Sequence, residues 1–163
     1  MNSILKQTPK YERSIALQKM RKYCAYQERC HLEAKQKLYS WFMYGSDVEQ
    51  IISQLIEEGF LNEERFAKAI AGGKFRQKGW GRKKIENTLK QKGISSYLIT
   101  SSMKEIDGKE YVKKLEQLLN KKKETLKPES MMLQKQKLGR FAISKGYEGE
   151  MVWGMVNEMF KAV

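Results

Sequence analysis

Residues 63–94 read EERFAKAIAGGKFRQKGWGRKKIENTLKQKGI, and the spacing within them decides the fold. Phe66, Ile70, Phe75, Ile85 and Leu89 recur at roughly helical intervals, which places them on the inward faces of successive helices. Gly79-Trp80-Gly81 interrupts the pattern and Gly93 ends it. Between Lys74 and Lys92, eight basic side chains stand against one acid, Glu86, a net +7 in nineteen residues. Charge at that density, mounted on folded helices, is a field that a polyanion feels.

Working outward, Asn62 is placed to cap the helix that follows, with Glu63 and Glu64 in the first turn where the helix dipole favours acids. Gly72 and Gly73 sit inside that helix at a cost of about 1 kcal/mol each against alanine, so a kink or a close approach by another backbone is expected there. Upstream, Ser46 and Glu49 have capping-box spacing ahead of Val48, Ile51, Ile52, Leu55 and Ile56, a helix that Gly59 stops. The helix before it runs through Leu32, Leu38, Trp41 and Phe42, with Gly45 closing it in a left-handed conformation. A first helix starts at Tyr11 and buries Ile15, Ala16, Met20, Tyr23 and Cys24. Residues 1–10, with Pro9, have no sustained periodicity and are expected to form a flexible arm.

Downstream, a sixth helix carries Leu98, Ile99, Met103 and Ile106, and a seventh spans Asp107 to Lys127 with Lys121, Lys122 and Lys123 near its end. Those lysines suit the C-terminal dipole as a solvated helix end. Two further helices follow Pro128, the last carrying Met151, Val152, Met155, Val156, Met159 and Phe160. No run of β-branched residues alternates with period two, so the expected fold is all-α with about nine helices.

Aligning Gly45, Gly93 and Gly146 reveals a weak repeat of about fifty residues. Each glycine follows an apolar residue (Leu38, Leu89, Leu138) and precedes an apolar set. The expectation is three stacked three-helix units, residues 11–61, 62–106 and 107–163, forming an elongated, curved rod. The middle unit is the electropositive one, with eleven basic against four acidic residues.

The whole chain of 163 residues has a formal charge of +13 and a pI near 9.7, which favours a nucleic-acid partner, with an acidic membrane surface as the rival. No apolar run is long enough for a membrane span and the N-terminus lacks a signal-peptide core, so the expected location is cytoplasmic. Cys24 and Cys30 then read as reduced structural thiols, since with His31 they lack a fourth donor for zinc. Neither catalytic constellation nor phosphate loop meets the geometric requirements of an enzyme, and neither metal nor cofactor is expected. Lys74, Arg76, Lys78, Arg82 and Lys83 are the candidates for polyanion contact, against a solvated face. Trp80 serves either packing at a helix junction or a partner. Asn87 and Gln91 suit a base-reading helix, so a free-standing DNA-binding protein of helix-turn-helix type is the second reading.

Arg65-Phe66-Ala67, the basic run through Lys74-Phe75-Arg76, then Trp80-Gly81-Arg82, Lys84-Ile85, Leu89 and Lys92-Gly93-Ile94 resemble the signature of the RecX regulatory proteins. Leu55 to Phe66 is similar to the run into that family's central repeat, and Glu28-Arg29-Cys30 with Lys37-Leu38 and Trp41 resembles its first repeat. The resemblance covers residues 11–106 by motif and the last third mainly by helix pattern. It implies a non-enzymatic protein of three-helix repeats, expected to be a monomer, that lies in the groove of the RecA filament on single-stranded DNA. There it restrains recombinase, ATPase and co-protease activity in DNA repair and the SOS response. Lys74, Arg76, Lys78, Trp80, Arg82, Lys83 and Lys84 are then expected to face filament or DNA, duplex DNA included.

Overall fold

A computed structural model describes residues 7–161. Among them lie nine α-helices and no strand: α1 (Arg13–Tyr26), α2 (His31–Tyr39), α3 (Ser46–Glu57), α4 (Glu63–Lys78), α5 (Arg82–Gln91), α6 (Ser96–Ser102), α7 (Gly108–Glu124), α8 (Met131–Ser144) and α9 (Gly149–Met159). A short 3-10 turn, Met103–Glu105, follows α6. No helix of the described residues is long and apolar enough to cross a membrane. The chain forms two compact units. One takes the residues up to Phe66 together with Lys92–Ile94; the other takes Ala67–Gln91 and the residues from Ser95 onward. Of the expected arm, residues 1–6 lie outside the described residues, and Lys10 donates its backbone N–H to the Trp41 carbonyl at 2.8 Å.

In the first unit α1, α2 and α3 close on a shared core. Ala16, Met20 and Cys24 of α1 meet Ala34 and Leu38 of α2 and Val48, Ile51, Ile52 and Leu55 of α3. Leu38 and Leu55 are fully buried, each stabilising the fold by roughly 1.5–3 kcal/mol. The same burial pushes the Cys24 thiol up to about 11, which keeps it protonated and unreactive. Ile15 and Ile56, expected inside, are largely exposed at the edges of their helical stripes.

Two local expectations are corrected here. Helix α2 ends at Tyr39, before Trp41, because Phe42 itself takes the left-handed conformation (φ 59°). Phe42 N–H then donates to Tyr39 O at 2.9 Å and Met43 N–H to Leu38 O at 3.2 Å, a Schellman ending built on a phenylalanine. The left-handed backbone costs an L-residue about 1–2 kcal/mol, offset by burial of Trp41 and Met43 on either side. Gly45 instead precedes α3 as its N-cap, so Ser46 lies within the helix and makes no cap. The reciprocal carboxylate bond of a capping box occurs at α2, where Glu33 accepts from the Cys30 N–H at 3.4 Å. The Asn62 cap of α4 forms as expected, its Oδ1 accepting from Arg65 N–H at 2.9 Å.

Lys92, from the turn after α5, belongs to this first unit and donates to Glu33 Oε1 at 2.9 Å. Arg21 makes a two-pronged pair with Glu58 at 2.7 and 2.8 Å, and Gln54 adds a third donor.

The second unit is built on α7, α8 and α9, with α5 and α6 packed beside one another. Phe75, Tyr111 and Tyr147 form a line of rings, with centroid distances of 5.8 and 4.9 Å. Gly81 and Gly146 meet at its end. A Cβ on Gly81 would lie 2.3 Å from the Gly146 carbonyl carbon, so the two backbones touch where no side chain fits. Gly81 N–H donates to Lys145 O at 2.8 Å and Lys83 N–H to Gly146 O at 3.0 Å. A Cβ built on Gly73 would meet nothing within 4 Å, so no second backbone closes on that glycine. α4 is continuous, and a Cβ on Gly72 would meet the Arg76 guanidinium folded back from the same helix, at 2.7 Å. The glycine leaves room for an arginine one turn on.

Gly73→Ala, with open space around it, is expected to stabilise the protein by about 0.5–1 kcal/mol. Gly81→Ala is expected to destabilise it by about 3 kcal/mol, because the obstruction is backbone. Urea unfolding of the two variants checks the opposite signs. Arg21 and Gln54 also hold the Glu58 carboxyl down at about 2, below its ordinary 4.5. Its stabilising contribution is therefore present above about pH 4.5 and lost as the pH falls toward 2. In Arg21→Gln, the Glu58 side-chain titration followed by NMR should move back up toward the ordinary carboxylate range.

Candidate functional site

The seven basic and aromatic residues singled out in the sequence occupy the end of α4, the Gly79-Trp80-Gly81 loop and the first turn of α5, all in the second unit. The loop is held by its backbone. Gly79 takes φ 65°, its N–H donates to Phe75 O at 3.0 Å, and its carbonyl accepts from the buried Tyr147 hydroxyl at 3.1 Å. Burial pushes that phenol up to about 12, with the Glu148 charge adding to it, so it remains a donor.

Three of the seven are brought together. Lys74 Nζ lies 5.2 Å and Lys84 Nζ 4.5 Å from the centre of the half-buried Trp80 ring. Each ammonium is attracted by the electron-rich ring face, by about 0.5–1 kcal/mol at a site this exposed. The indole thus holds two cations in place at the helix junction, and the packing and charge-presenting roles of Trp80 coincide.

Arg82 is engaged differently. Its guanidinium carbon sits 3.9 Å over the Tyr111 ring and its Nη1 3.6 Å from Glu148 Oε1. Its backbone N–H donates to the Tyr111 hydroxyl at 3.0 Å, and that hydroxyl donates to Glu148 Oε2 at 2.6 Å. Burial first, and then the bond to Glu148, raise the Tyr111 phenol far above its ordinary value. The charge of Arg82 is largely answered within the chain. Lys83 is exposed beside it and lines a groove of about 410 Å³ with Glu86, Lys90 and Glu148. Arg76 and Lys78 are exposed on α4, Arg76 beside Glu110, Lys113 and Lys114 of α7. The seven therefore divide into a clustered trio, one internally paired arginine and three exposed cations. Asn87 and Gln91 are both exposed on α5.

Tyr111, Tyr147 and Glu148 complete this site and were not among the sequence candidates. Tyr111 reads from periodicity only as a core position of α7; its polar end carries no signal of its own. Tyr147 did have one. It follows Gly146 as Ile94 follows Gly93, and both residues are buried.

Comparison with known proteins agrees with this architecture. The family model for the second three-helix domain of RecX matches residues 62–103, and that for the third matches residues 109–154. The regulatory protein RecX of Bacillus cytotoxicus is 25% identical over 137 residues, covering 84% of this chain and 51% of that protein. That of Bacillus thuringiensis is 23% identical over the same shares. The chain thus spans about half the length of the curated relatives it matches. The crystal structure of RecX from Lactobacillus salivarius superposes with a TM-score of 0.79 at 22% identity, over 90% of this chain and 96% of that one. A second crystal structure, of a regulatory protein RecX, gives 0.81 at 20% identity, over 90% and 73%. These two likenesses establish a shared all-helical fold. Because the two domain models fall on successive stretches that together cover more than half of the residues, the chain belongs to the RecX family.

Proposed function

We propose that the chain is a non-enzymatic regulator that binds the RecA filament on single-stranded DNA, in its groove, and lowers recombinase, ATPase and co-protease activity. It would act in the cytoplasm as a monomer, in DNA repair and the SOS response. Three successive three-helix units, residues 11–61, 62–106 and 107–163, would present the contact surface. The observation that carries this reading is the Lys74–Trp80–Lys84 cluster in a chain of the RecX family. Cations already ordered on an aromatic face lose less side-chain freedom on meeting phosphate than solvated lysines do. Lys78 and Lys83 extend the positive surface on either side of the loop.

A second reading, a free-standing DNA reader of helix-turn-helix type, is favoured by the exposed Asn87 and Gln91 on the second helix of the middle unit. It requires a large ratio between selected and random duplex affinities, which a filament regulator does not need.

Purified protein added below equimolar amounts to RecA, single-stranded DNA and ATP should lower ATP hydrolysis. Lys74→Gln combined with Lys84→Gln should raise the amount needed for half-inhibition several-fold, with thermal unfolding little changed. Absence of any effect at equimolar protein would overturn the proposal.

A further inference from the structure

The C-terminal end of α7, the turn at Thr125–Ser130 and the outer face of α8 border an open groove of about 650 Å³, away from the α4–α5 loop in sequence. Its charged lining is Lys122, Lys127, Lys137 and Arg140 against a single acid, Glu129. Glu129 is already taken, since Lys137 Nζ lies 2.6 Å from both of its oxygens. Lys127 and Arg140 are exposed, and no carboxylate among the described residues pairs with either. Lys122 rests 5.4 Å over the Phe141 ring, so this cation is steered onto the groove wall and does not trail into solvent. Thr125 and Ser144 turn their hydroxyls onto the carbonyls of Lys122 and Phe141, at 2.7 Å each. Those carbonyls, at the negative ends of α7 and α8, are thereby partly screened.

We infer that this groove is a second nucleic-acid surface, which binds the phosphodiester backbone of a single strand through Lys127, Arg140 and Lys122, with Phe141 as an apolar face for a base or sugar. The charges are spread over two helices and the turn between them, as successive phosphates require and a lone phosphate ion does not. A planar guanidinium beside two ammonium groups, with a half-buried ring among them, matches the positively charged, aromatic-bearing grooves that hold single strands. The inference shares with the proposed function only the class of ligand. It needs no RecA, so the two stand or fall in separate experiments.

The test is the anisotropy of fluorescein-labelled oligothymidine titrated with the full chain over a range of salt, without RecA. Lys127→Gln combined with Arg140→Gln should weaken binding roughly tenfold and flatten the log–log salt dependence by about 1.4, that is about 0.7 per lost phosphate contact. Glu129→Gln should tighten binding several-fold, by freeing Lys137 and removing the groove's one acid. With thermal unfolding of Glu129→Gln unchanged, a gain of affinity cannot come from misfolding. No binding of oligothymidine, wild-type affinity and salt dependence in the double variant, or no tightening in Glu129→Gln would each overturn the inference. So would displacement of the oligonucleotide by polyglutamate at equal charge concentration, which would mark the groove as a site for acidic polypeptide.

Discussion

The contact between Gly81 and Gly146 is the constraint on which the second unit depends. Two backbone hydrogen bonds, from Gly81 to Lys145 and from Lys83 to Gly146, tie the first turn of α5 to the turn between α8 and α9. Main-chain bonds at this spacing leave no tolerance for a side chain, so the position of α5 follows from two absent Cβ atoms. Trp80 stands immediately before this tie and Lys84 just after it. Tyr111 and Tyr147 fill the space beneath, each with its hydroxyl bonded to the same stretch or to Glu148. The candidate surface is therefore precise because it hangs on backbone, although its own members are long, flexible side chains.

A related arrangement occurs one repeat earlier with different chemistry. There the turn after α5 meets the start of α2 through a side chain, Lys92 on Glu33, and the pairing raises the lysine above its ordinary value. Glu33 simultaneously accepts from the Cys30 N–H, so one carboxylate serves both the helix start and the lysine. A salt bridge of this exposure contributes little by itself. Its value lies in direction, since it orients a turn whose next residue but one, Ile94, is buried.

Much of the fold was legible in the sequence because helix periodicity and glycine stops are local. The nine helices of the described residues fall close to the apolar spacing, although α6 stops at Ser102 and leaves Met103 in a 3-10 turn and Ile106 beyond it, and Asn62 caps α4 as its position suggests. The failures arose where tertiary packing overrode a local rule. Burial of Trp41 and Met43 ended α2 early and put Phe42 where a glycine was expected. Ser46 lost its capping role to Gly45, and Gly72 accommodates an arginine of its own helix. The candidate site was legible as a concentration of charge. Which cations are shared with aromatic rings and which are answered by Glu148 was not, because those partners lie about thirty to seventy residues away or depend on rotamers that spacing does not encode.

The placement of Lys92–Ile94 has a consequence for taking the protein apart. The chain leaves the first compact unit at Phe66, contributes these three residues to it, and then departs for good. The units are thus interleaved along the polypeptide, and a single cleavage cannot release both intact. A fragment ending near residue 66 would lack the lysine that answers Glu33 and the isoleucine beside it. One extended to Ile94 would carry α4 and α5 without α7 to α9, leaving Phe75 without the Tyr111 ring that it packs on. Dissection, limited proteolysis or domain exchange at either crossing, near Phe66 or after Ile94, therefore strips one of the two units of residues that belong to it.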